Sequence, residues 1–213
     1  MGKTKIKLIL ASASPRRKEL LAHLQLPFEV KTLNIPEESL HLNPVDYCME
    51  IAAMKGDAVL HHQINYDPSV PFMVVSADTI VCLADKIYGK PRDRDEARNF
   101  LRELSGKTHS VFTAVKVSLY YQEEIGSFSF VDESKVAFNH ISPELLENYL
   151  LTRDSLDKAG AYGIQGPSLT FISEVNGSYS NVVGFPLSSF VTEAEVFFKT
   201  KFPEEKSWLA LFR

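Results

Sequence analysis

The segment that most constrains this chain is residues 8–21, LILASASPRRKELL, which joins an apolar strand-like run directly to an amphipathic helix. Ser14 is a good N-cap and Pro15 suits the first helical position, so the helix is predicted to begin there. Arg16 and Arg17 then fall in the first turn, where unpaired N–H groups and the helix dipole favour an anion. The corner predicts a phosphate site; the structural alternative is a solvated basic pair on a surface helix.

Length and charge narrow the class of protein. A chain of 213 residues can bury a sizeable core, and we expect one domain over residues 1–213. A net charge of −4 argues against a stable nucleic-acid complex and leaves small phosphorylated ligands open. Cys48 and Cys82 form no zinc or disulfide pattern. The N-terminus lacks a signal-peptide pattern and no run has membrane-spanning length, so a cytoplasmic protein without a membrane partner is predicted.

Alternating helical and strand-like patterns predict an α/β fold with a mixed central sheet flanked by helices. Further strands are predicted at 28–33, 72–83, 108–121, 125–138 and 168–184, with a hairpin at Asn176-Gly177. Further helices are predicted at 44–61, 94–105, 143–152 and 187–199, with a loop at 61–71. The apolar tail after Thr200 is ambiguous: an unpacked terminus is the default expectation, and docking of its apolar residues on the body or on a partner is the alternative.

Carboxylates stand at two positions that suit metal or proton chemistry. Asp78 lies inside the apolar run 72–83, where an ionised carboxylate is costly unless it is paired, hydrogen-bonded or bound to a cation. The alternative is an aspartate that caps a strand end. Glu37 and Glu38 follow the second predicted strand and, with Asp78, offer the oxygen ligands that hard divalent cations prefer. Adjacent acids in a loop are otherwise simply solvated.

Three more polar residues are candidates on weaker patterns. Lys90 sits in a tight Gly-Lys-Pro turn, and a glycine there permits close approach to a ligand. Lys55 projects from a helix of small apolar residues. A surface lysine, whose apolar stem lies along the protein while its ammonium group stays in water, is the simpler interpretation. Gln165 follows glycines in DKAGAYGIQG and suits bidentate hydrogen bonding to a base edge, although a plain turn explains the glycines equally well.

Taken in order and spacing, these motifs resemble the Maf (septum-formation) family of nucleotide pyrophosphatases. The resemblance runs from about Lys5 to about Phe198 and rests on SASPRRKELL, Glu37-Glu38, Lys55, SADTIV, GKPRD, LSGKTHSVFTAV, DKAGAYGIQG and NGSYSNVVGFPL. It implies an α/β fold related to inosine triphosphate pyrophosphatases, with a nucleotide cleft. It also implies hydrolysis of a nucleoside triphosphate to the monophosphate and pyrophosphate with Mg²⁺ or Mn²⁺, and links to nucleotide-pool sanitation and cell-division arrest. A homodimer is a further family-level expectation.

The resemblance also implies site roles. Asp78 matches the family's proton acceptor and, with Glu38 or Glu37, serves the metal. The triphosphate is expected to contact Ser12, Arg16, Arg17, Lys55 and Lys90. Arg16, Thr79 and Gln165 are similar to the three positions that mark the dTTP/UTP subgroup, whereas the 7-methyl-GTP subgroup tends to carry tryptophan, another residue and glutamate there. Three functions therefore have to be separated: a dTTP/UTP pyrophosphatase, a 7-methyl-GTP pyrophosphatase and a nucleotide-binding regulator that does not hydrolyse its ligand.

Two residues depart from the family pattern. Ser76 stands where glycine is frequent before Ala-Asp-Thr, and Gly56 follows Lys55 where alanine is common. Ser76 is expected to add a hydroxyl near the phosphate-facing end of its strand without abolishing activity.

Overall fold

The computed structural model describes residues 5–213, within which seven strands form one mixed sheet. Its strand order is β2-β1-β3-β5-β6-β7, and β4 pairs with β3 off this path. The strands are β1 (Lys7–Leu10), β2 (Phe28–Val30), β3 (Phe72–Leu83), β4 (Lys86–Tyr88), β5 (Thr108–Tyr121), β6 (Glu124–Phe138) and β7 (Ile172–Asn176). Strand β1 runs parallel to β2 and β3, whereas the other pairings are antiparallel.

Six α-helices flank this sheet in the described part of the chain. They are α1 (Pro15–Ala22), α2 (Pro44–Tyr66), α3 (Arg94–Leu104), α4 (Pro143–Leu151), α5 (Tyr179–Val183) and α6 (Leu187–Lys201). The side chains of Ser14, Asn43, Asp93 and Ser142 accept hydrogen bonds from the first turns of α1, α2, α3 and α4. These caps satisfy orphan N–H groups and fix where each helix begins. The predicted mixed sheet flanked by helices is therefore confirmed.

Strand β3 is the central support of the molecule. It pairs with β1 on one side and with β5 on the other, from Phe72 opposite Tyr120 to Cys82 opposite Ser110. Strand β1 ends beside Val75, whose carbonyl accepts a bond of 2.8 Å from the Ala11 amide. Strand β3 continues past that point, so Asp78 and Thr79 lie beyond the end of β1, next to the corner that follows it.

Helix α2 lies across β3 through two small apolar clusters. At one end, Cys48 and Ala52 pack with Ile80 and Ala114. At the other end, the helix residues Val59 and Leu60 join a second cluster against β1 and β3. Packing at both ends fixes the helix above the sheet and sets the position of the polar residue between them, Lys55.

Three predictions about elements were wrong. Helix α2 continues to Tyr66 instead of ending at His61, and Gln63 in its last turns is buried against the body. Gly177 does not close a hairpin, because Ser178 caps helix α5 directly after it. The strand predicted over 168–184 is accordingly limited to β7.

The C-terminal tail is packed on the body, so the default expectation of an unpacked terminus is wrong and the docking alternative holds. Its last turn, Trp208–Phe212, is a short 3₁₀ helix in which Trp208, Leu211 and Phe212 are buried. Trp208 stacks on Phe198 of α6 with ring centroids 5.6 Å apart. The Leu211 carbonyl accepts a bond of 2.8 Å from the Ile6 amide, so the tail also holds the start of β1.

Gly56 and Ser76, the two departures from the family pattern, face each other. Ser76 is fully buried and its hydroxyl donates 2.7 Å to the Ala52 carbonyl of α2, so it lies under the helix and not at the phosphate-facing end. A Cβ added at Gly56 would lie 2.5 Å from Ser76 Oγ and 3.3 Å from Ser76 Cβ. The missing side chain at 56 thus makes room for the hydroxyl at 76.

No helix in residues 5–213 combines the length and the apolar character needed to cross a membrane.

Candidate active site

A cleft of about 530 Å³ opens where β1 passes into α1. Its walls are the corner of residues 11–17, the loop at 32–37, helix α2, strand β3 and the segments 157–165 and 182–184. Gly160 adopts φ +66° and donates 3.1 Å to the Gly89 carbonyl. A Cβ at Gly160 would lie 2.8 Å from Val81, so the absence of a side chain lets segment 157–165 pack beside Lys90.

Two carboxylates share one lysine at the floor of the cleft. Lys55 Nζ lies 2.7 Å from Asp78 Oδ1 and 2.7 Å from Glu37 Oε2. The Lys55 and Asp78 side chains are only 15% and 13% exposed, whereas Glu37 is half exposed. The partly buried charge of Asp78 is therefore paired, as the cost of an isolated carboxylate requires. This excludes the surface-lysine and strand-end alternatives for Lys55 and Asp78.

Arg17 is fixed in the corner by three acceptors. Its Nε donates 2.8 Å to the Gly184 carbonyl, and its two terminal nitrogens donate to Ser12 Oγ at 3.2 Å and Thr79 Oγ1 at 3.0 Å. Burial lowers the pKa of the Arg17 guanidinium, and the negative charge of Asp78 opposes that effect. A desolvated guanidinium beside a helix N-terminus is a strong anion-binding group.

The hydroxyl of Thr79 belongs to a directed chain of hydrogen bonds. Thr113 Oγ1 donates 2.9 Å to the Asn181 carbonyl, so its single proton is committed. Thr79 Oγ1 lies 3.0 Å from Thr113 Oγ1 and must be the donor of that bond. Thr79 in turn accepts from Arg17. The proton of Thr79 therefore points into the sheet, and Thr79 presents its oxygen to Arg17.

Arg16 points away from Arg17, to the far end of the cleft. Its Nη1 lies 2.9 Å from Asp157 Oδ2, and the other oxygen of Asp157 accepts 2.6 Å from Lys158. Burial alone would raise the pKa of Asp157, but the hydrogen bonds from Lys158 and Arg16 outweigh it and lower that pKa. Gln165 lines the same cleft.

The structure brings most of the predicted site residues together. The cleft is lined by Ser12, Arg16, Arg17, Lys55, Asp78, Thr79, Lys90 and Gln165. Of the two adjacent glutamates, Glu37 lines the cleft and Glu38 does not, within the described residues. Both glutamates are exposed, but Glu37 is the one whose Oε2 lies 2.7 Å from Lys55 Nζ; of the two acids kept open from the sequence, Glu37 is therefore the one next to Asp78.

Sequence reasoning did not single out Asp157 or Lys158 individually, nor Gly184 as a partner of Arg17. Asp157 and Lys158 open the DKAG motif, yet in the sequence they look like an ordinary surface pair. Tyr162, also in the cleft wall, is held by a bond of 2.7 Å between its hydroxyl and His109 Nε2. Burial lowers the pKa of His109 to about 4, so the ring is neutral at physiological pH.

Asp78 and Glu37 are the residues that suit a divalent cation. Their carboxylates approach the same ammonium group and both face the cleft. No group of three or more His, Cys, Asp or Glu side chains that would hold a metal ion occurs between residues 5 and 213. Mg²⁺ typically binds one or two carboxylates together with substrate phosphates and water. The pair fits a cation that arrives with a phosphorylated substrate.

The fold and this site define the class of protein: an α/β protein with an anion-binding cleft. The chain belongs to the Maf family, since the model of the Maf-like protein family matches residues 7–197. The family expected from the sequence motifs is thereby confirmed.

Curated relatives from Bacillus bear the name dTTP/UTP pyrophosphatase. The protein of Bacillus cereus (strain G9842) is 38% identical over 192 residues, covering 90% of this chain and 95% of that protein. The protein of Bacillus cytotoxicus is 40% identical over 192 residues, which again cover 90% of this chain and 95% of that protein. Among solved structures, a HAM1 protein from Coxiella burnetii superposes with a TM-score of 0.46 and 13% identity, covering 89% of this chain and all of that one.

Proposed function

We propose that this protein is a nucleoside triphosphate pyrophosphatase that hydrolyses dTTP and UTP to the monophosphate and pyrophosphate. The observation that carries the proposal is the partly buried Asp78 carboxylate, paired with Lys55 and lying in the same cleft as the Arg17 corner. The names of the two Bacillus relatives support the reaction and the pyrimidine substrates. Expectations of a single domain, a homodimer and a cytoplasmic location stay predictions.

The triphosphate is assigned to the corner side of the cleft. Arg17 is already oriented by Gly184, Ser12 and Thr79, so little ordering is needed on binding. The N-terminus of α1 adds N–H donors and a positive dipole end. Lys55 and Lys90 bring further cationic groups to the same cleft. These groups stabilise the negative charge that accumulates as pyrophosphate departs.

Asp78 is the group we assign to water activation. Lys55 holds Asp78 Oδ1 at 2.7 Å, and Oδ2 is the oxygen assigned to the attacking water. The water oxygen forms a bond to the α-phosphorus while the bond from that phosphorus to the bridging oxygen breaks. Asp78 takes the proton, and pyrophosphate leaves with the bridging oxygen and its electron pair.

A divalent cation, Mg²⁺ or Mn²⁺, is the cofactor we propose, with Asp78 and Glu37 as its protein ligands. When bound, it supplies Lewis-acid stabilisation of phosphate charge. Lys55 keeps the two carboxylates together before substrate arrives, because it lies 2.7 Å from each. This arrangement reduces the mutual repulsion of two acids in a partly buried site.

The opposite end of the cleft is assigned to the base. Gln165 carries an amide that both donates and accepts, as the edge of uracil or thymine does. A carboxylate at this position would suit the donors of a guanine edge instead. The side-chain chemistry therefore favours pyrimidine triphosphates over 7-methyl-GTP.

Pyrophosphate release from dTTP, UTP, CTP, GTP and 7-methyl-GTP, with Mg²⁺ or Mn²⁺, tests the proposal. We expect preferred release from dTTP and UTP and a loss of at least about 100-fold in Asp78→Asn. Asp85→Asn is the matched control, since Asp85 is exposed in the turn that follows β3. Wild-type rates in Asp78→Asn would refute the catalytic role. Triphosphate binding without release from any substrate would favour a regulator that does not hydrolyse its ligand.

A further inference from the structure

The two arginines of the corner have different partners, and only one of them faces the groups assigned to phosphate. Arg17 donates to Ser12, Thr79 and Gly184. Arg16 instead donates 2.9 Å to Asp157 Oδ2, and its other terminal nitrogen lies 3.5 Å from the Asp157 carbonyl oxygen. Successive residues of a helix project about 100° apart, which accounts for the divergence. The sequence analysis placed Arg16 both among the phosphate contacts and among the positions that mark the dTTP/UTP subgroup, and its contacts here differ from those of Arg17.

Asp157 is itself held in place. Its second oxygen accepts 2.6 Å from Lys158, which also donates 2.8 Å to Asp154 Oδ1 and 2.8 Å to the Asp154 carbonyl. The Lys158 stem lies against Gly163, where an added Cβ would come within 2.6 Å of Cδ. Lys158 is only 13% exposed, so its ammonium group is a fixed anchor for Asp157.

The surroundings of Arg16 place it at the base end. A second cavity of about 310 Å³ adjoins the cleft and is lined by Pro15, Arg16, Glu19, Asp154, Lys158, Gln165 and Gly166. Arg16, Lys158 and Gln165 border both cavities. Of the described residues, the catalytic group of Lys55, Asp78 and Glu37 borders only the larger one.

We propose that Asp157 is a positioning residue that sets base selectivity by orienting Arg16 beside Gln165, an inference that rests on the proposed function. Asp157 is 60% exposed, so its ion pair with Arg16 adds little to folding stability. Its effect is on the orientation of the Arg16 guanidinium. A guanidinium held at one edge offers its remaining N–H donors along a fixed line.

A fixed donor discriminates between bases where a mobile donor does not. Uracil and thymine present two carbonyl acceptors, whereas cytosine replaces one of them with an amino donor. An N–H aimed at that position gains a hydrogen bond with uracil and faces an unmatched donor with cytosine. An Arg16 released from Asp157 turns to suit either base, and the discrimination falls.

The test measures kcat and KM for UTP and CTP in the wild type, Asp157→Ala and Asp157→Asn. We expect the UTP over CTP preference in kcat/KM to fall about tenfold in Asp157→Ala, through KM, with kcat for UTP within about threefold. Asp157→Asn keeps an oxygen that accepts from Arg16 and should retain part of the preference. Asp85→Asn is the control, because Asp85 is an exposed acid that borders neither cavity; its preference should equal that of the wild type.

Inhibition by tripolyphosphate separates this role from competition for phosphate. Tripolyphosphate has no base, so its inhibition constant should be unchanged in Asp157→Ala. Tighter inhibition, with lower KM for both nucleotides, would show that Asp157 competes with phosphate for Arg16 and would overturn the proposal. An unchanged UTP over CTP preference would also overturn it.

Direct binding keeps this result separate from the fate of the proposed function. Calorimetric titration with the α,β-imido analogues of UTP and CTP reports base preference without hydrolysis. A wild type that binds the UTP analogue preferentially and releases no pyrophosphate from any nucleotide would contradict the proposed function alone. A preference equal in the wild type and Asp157→Ala would contradict the role of Asp157 alone.

Discussion

Replacing Gly56 by alanine tests how closely helix α2 packs on strand β3. Alanine in a helix interior is normally favourable over glycine by about 1 kcal/mol. Here the new Cβ would lie 2.5 Å from Ser76 Oγ, so the hydroxyl must leave its bond to the Ala52 carbonyl. Losing that buried hydrogen bond costs about 1–3 kcal/mol. The remaining approach of 3.3 Å to Ser76 Cβ adds an overpacking cost of about 1–3 kcal/mol.

The net expectation for Gly56→Ala is a loss of about 2 kcal/mol in the free energy of unfolding. Ser76→Gly removes both contacting atoms, so the double variant Gly56→Ala/Ser76→Gly should recover to within about 1 kcal/mol of the wild type. Urea unfolding of the wild type, both single variants and the double variant, followed by circular dichroism, gives the coupling energy. A Gly56→Ala protein as stable as the wild type, or additive effects in the double variant, would refute the packing argument.

Three further perturbations test the site and its supports. Burial lowers the pKa of His109 to about 4, so between about pH 6.5 and pH 4 the unfolded chain binds more protons. Stability contributed by the neutral ring is lost as the pH falls through that window, by up to about 3 kcal/mol; urea unfolding of His109→Gln should show a shallower pH dependence than the wild type. Thr113→Val removes the acceptor of the Thr79 proton and should raise KM for UTP about tenfold, whereas Thr113→Ser should restore it; equal KM values in all three proteins would contradict the hydrogen-bond chain. Glu37→Gln should raise the Mg²⁺ concentration for half-maximal activity roughly tenfold, and Glu38→Gln should not; the opposite result in a metal titration would return the ligand role to Glu38.

Local chemistry made much of the fold predictable. The nearly continuous apolar run at 72–83 predicted strand β3 with its observed bounds, and the helix predicted to begin at residue 94 does begin there, capped by Asp93. Ser14 and Pro15 placed the start of α1 correctly. In each case the deciding interaction lies within a few residues along the chain.

The wrong predictions concern residues whose partners are distant in sequence. The polar end of α2 remains helical because Gln63 is buried and bonded to Lys31, which no local pattern reveals. Gly177 serves a close approach to Ser134, since an added Cβ would lie 2.6 Å from its hydroxyl. The tail packs because α6 offers Phe198 to Trp208.

The candidate site likewise combines residues that local sequence patterns predict with contacts that such patterns do not reveal. Asp78 stood out because a carboxylate within an apolar run needs compensation, although its partner was not evident from that run. The acceptors of Arg17 lie up to 167 positions away, at Gly184. Such a contact follows from the topology of the sheet and has no counterpart in periodicity or capping.

The charges that line the cleft have a consequence for the speed of encounter. Five cationic side chains, Arg16, Arg17, Lys55, Lys90 and Lys158, face three acids there, Glu37, Asp78 and Asp157, whereas the whole chain carries −4. A polyanionic nucleotide is therefore repelled by most of the surface and attracted at one opening. Such focusing raises association rates and is screened over about 8 Å at physiological salt. Added salt should slow capture of substrate more than it changes the chemical step.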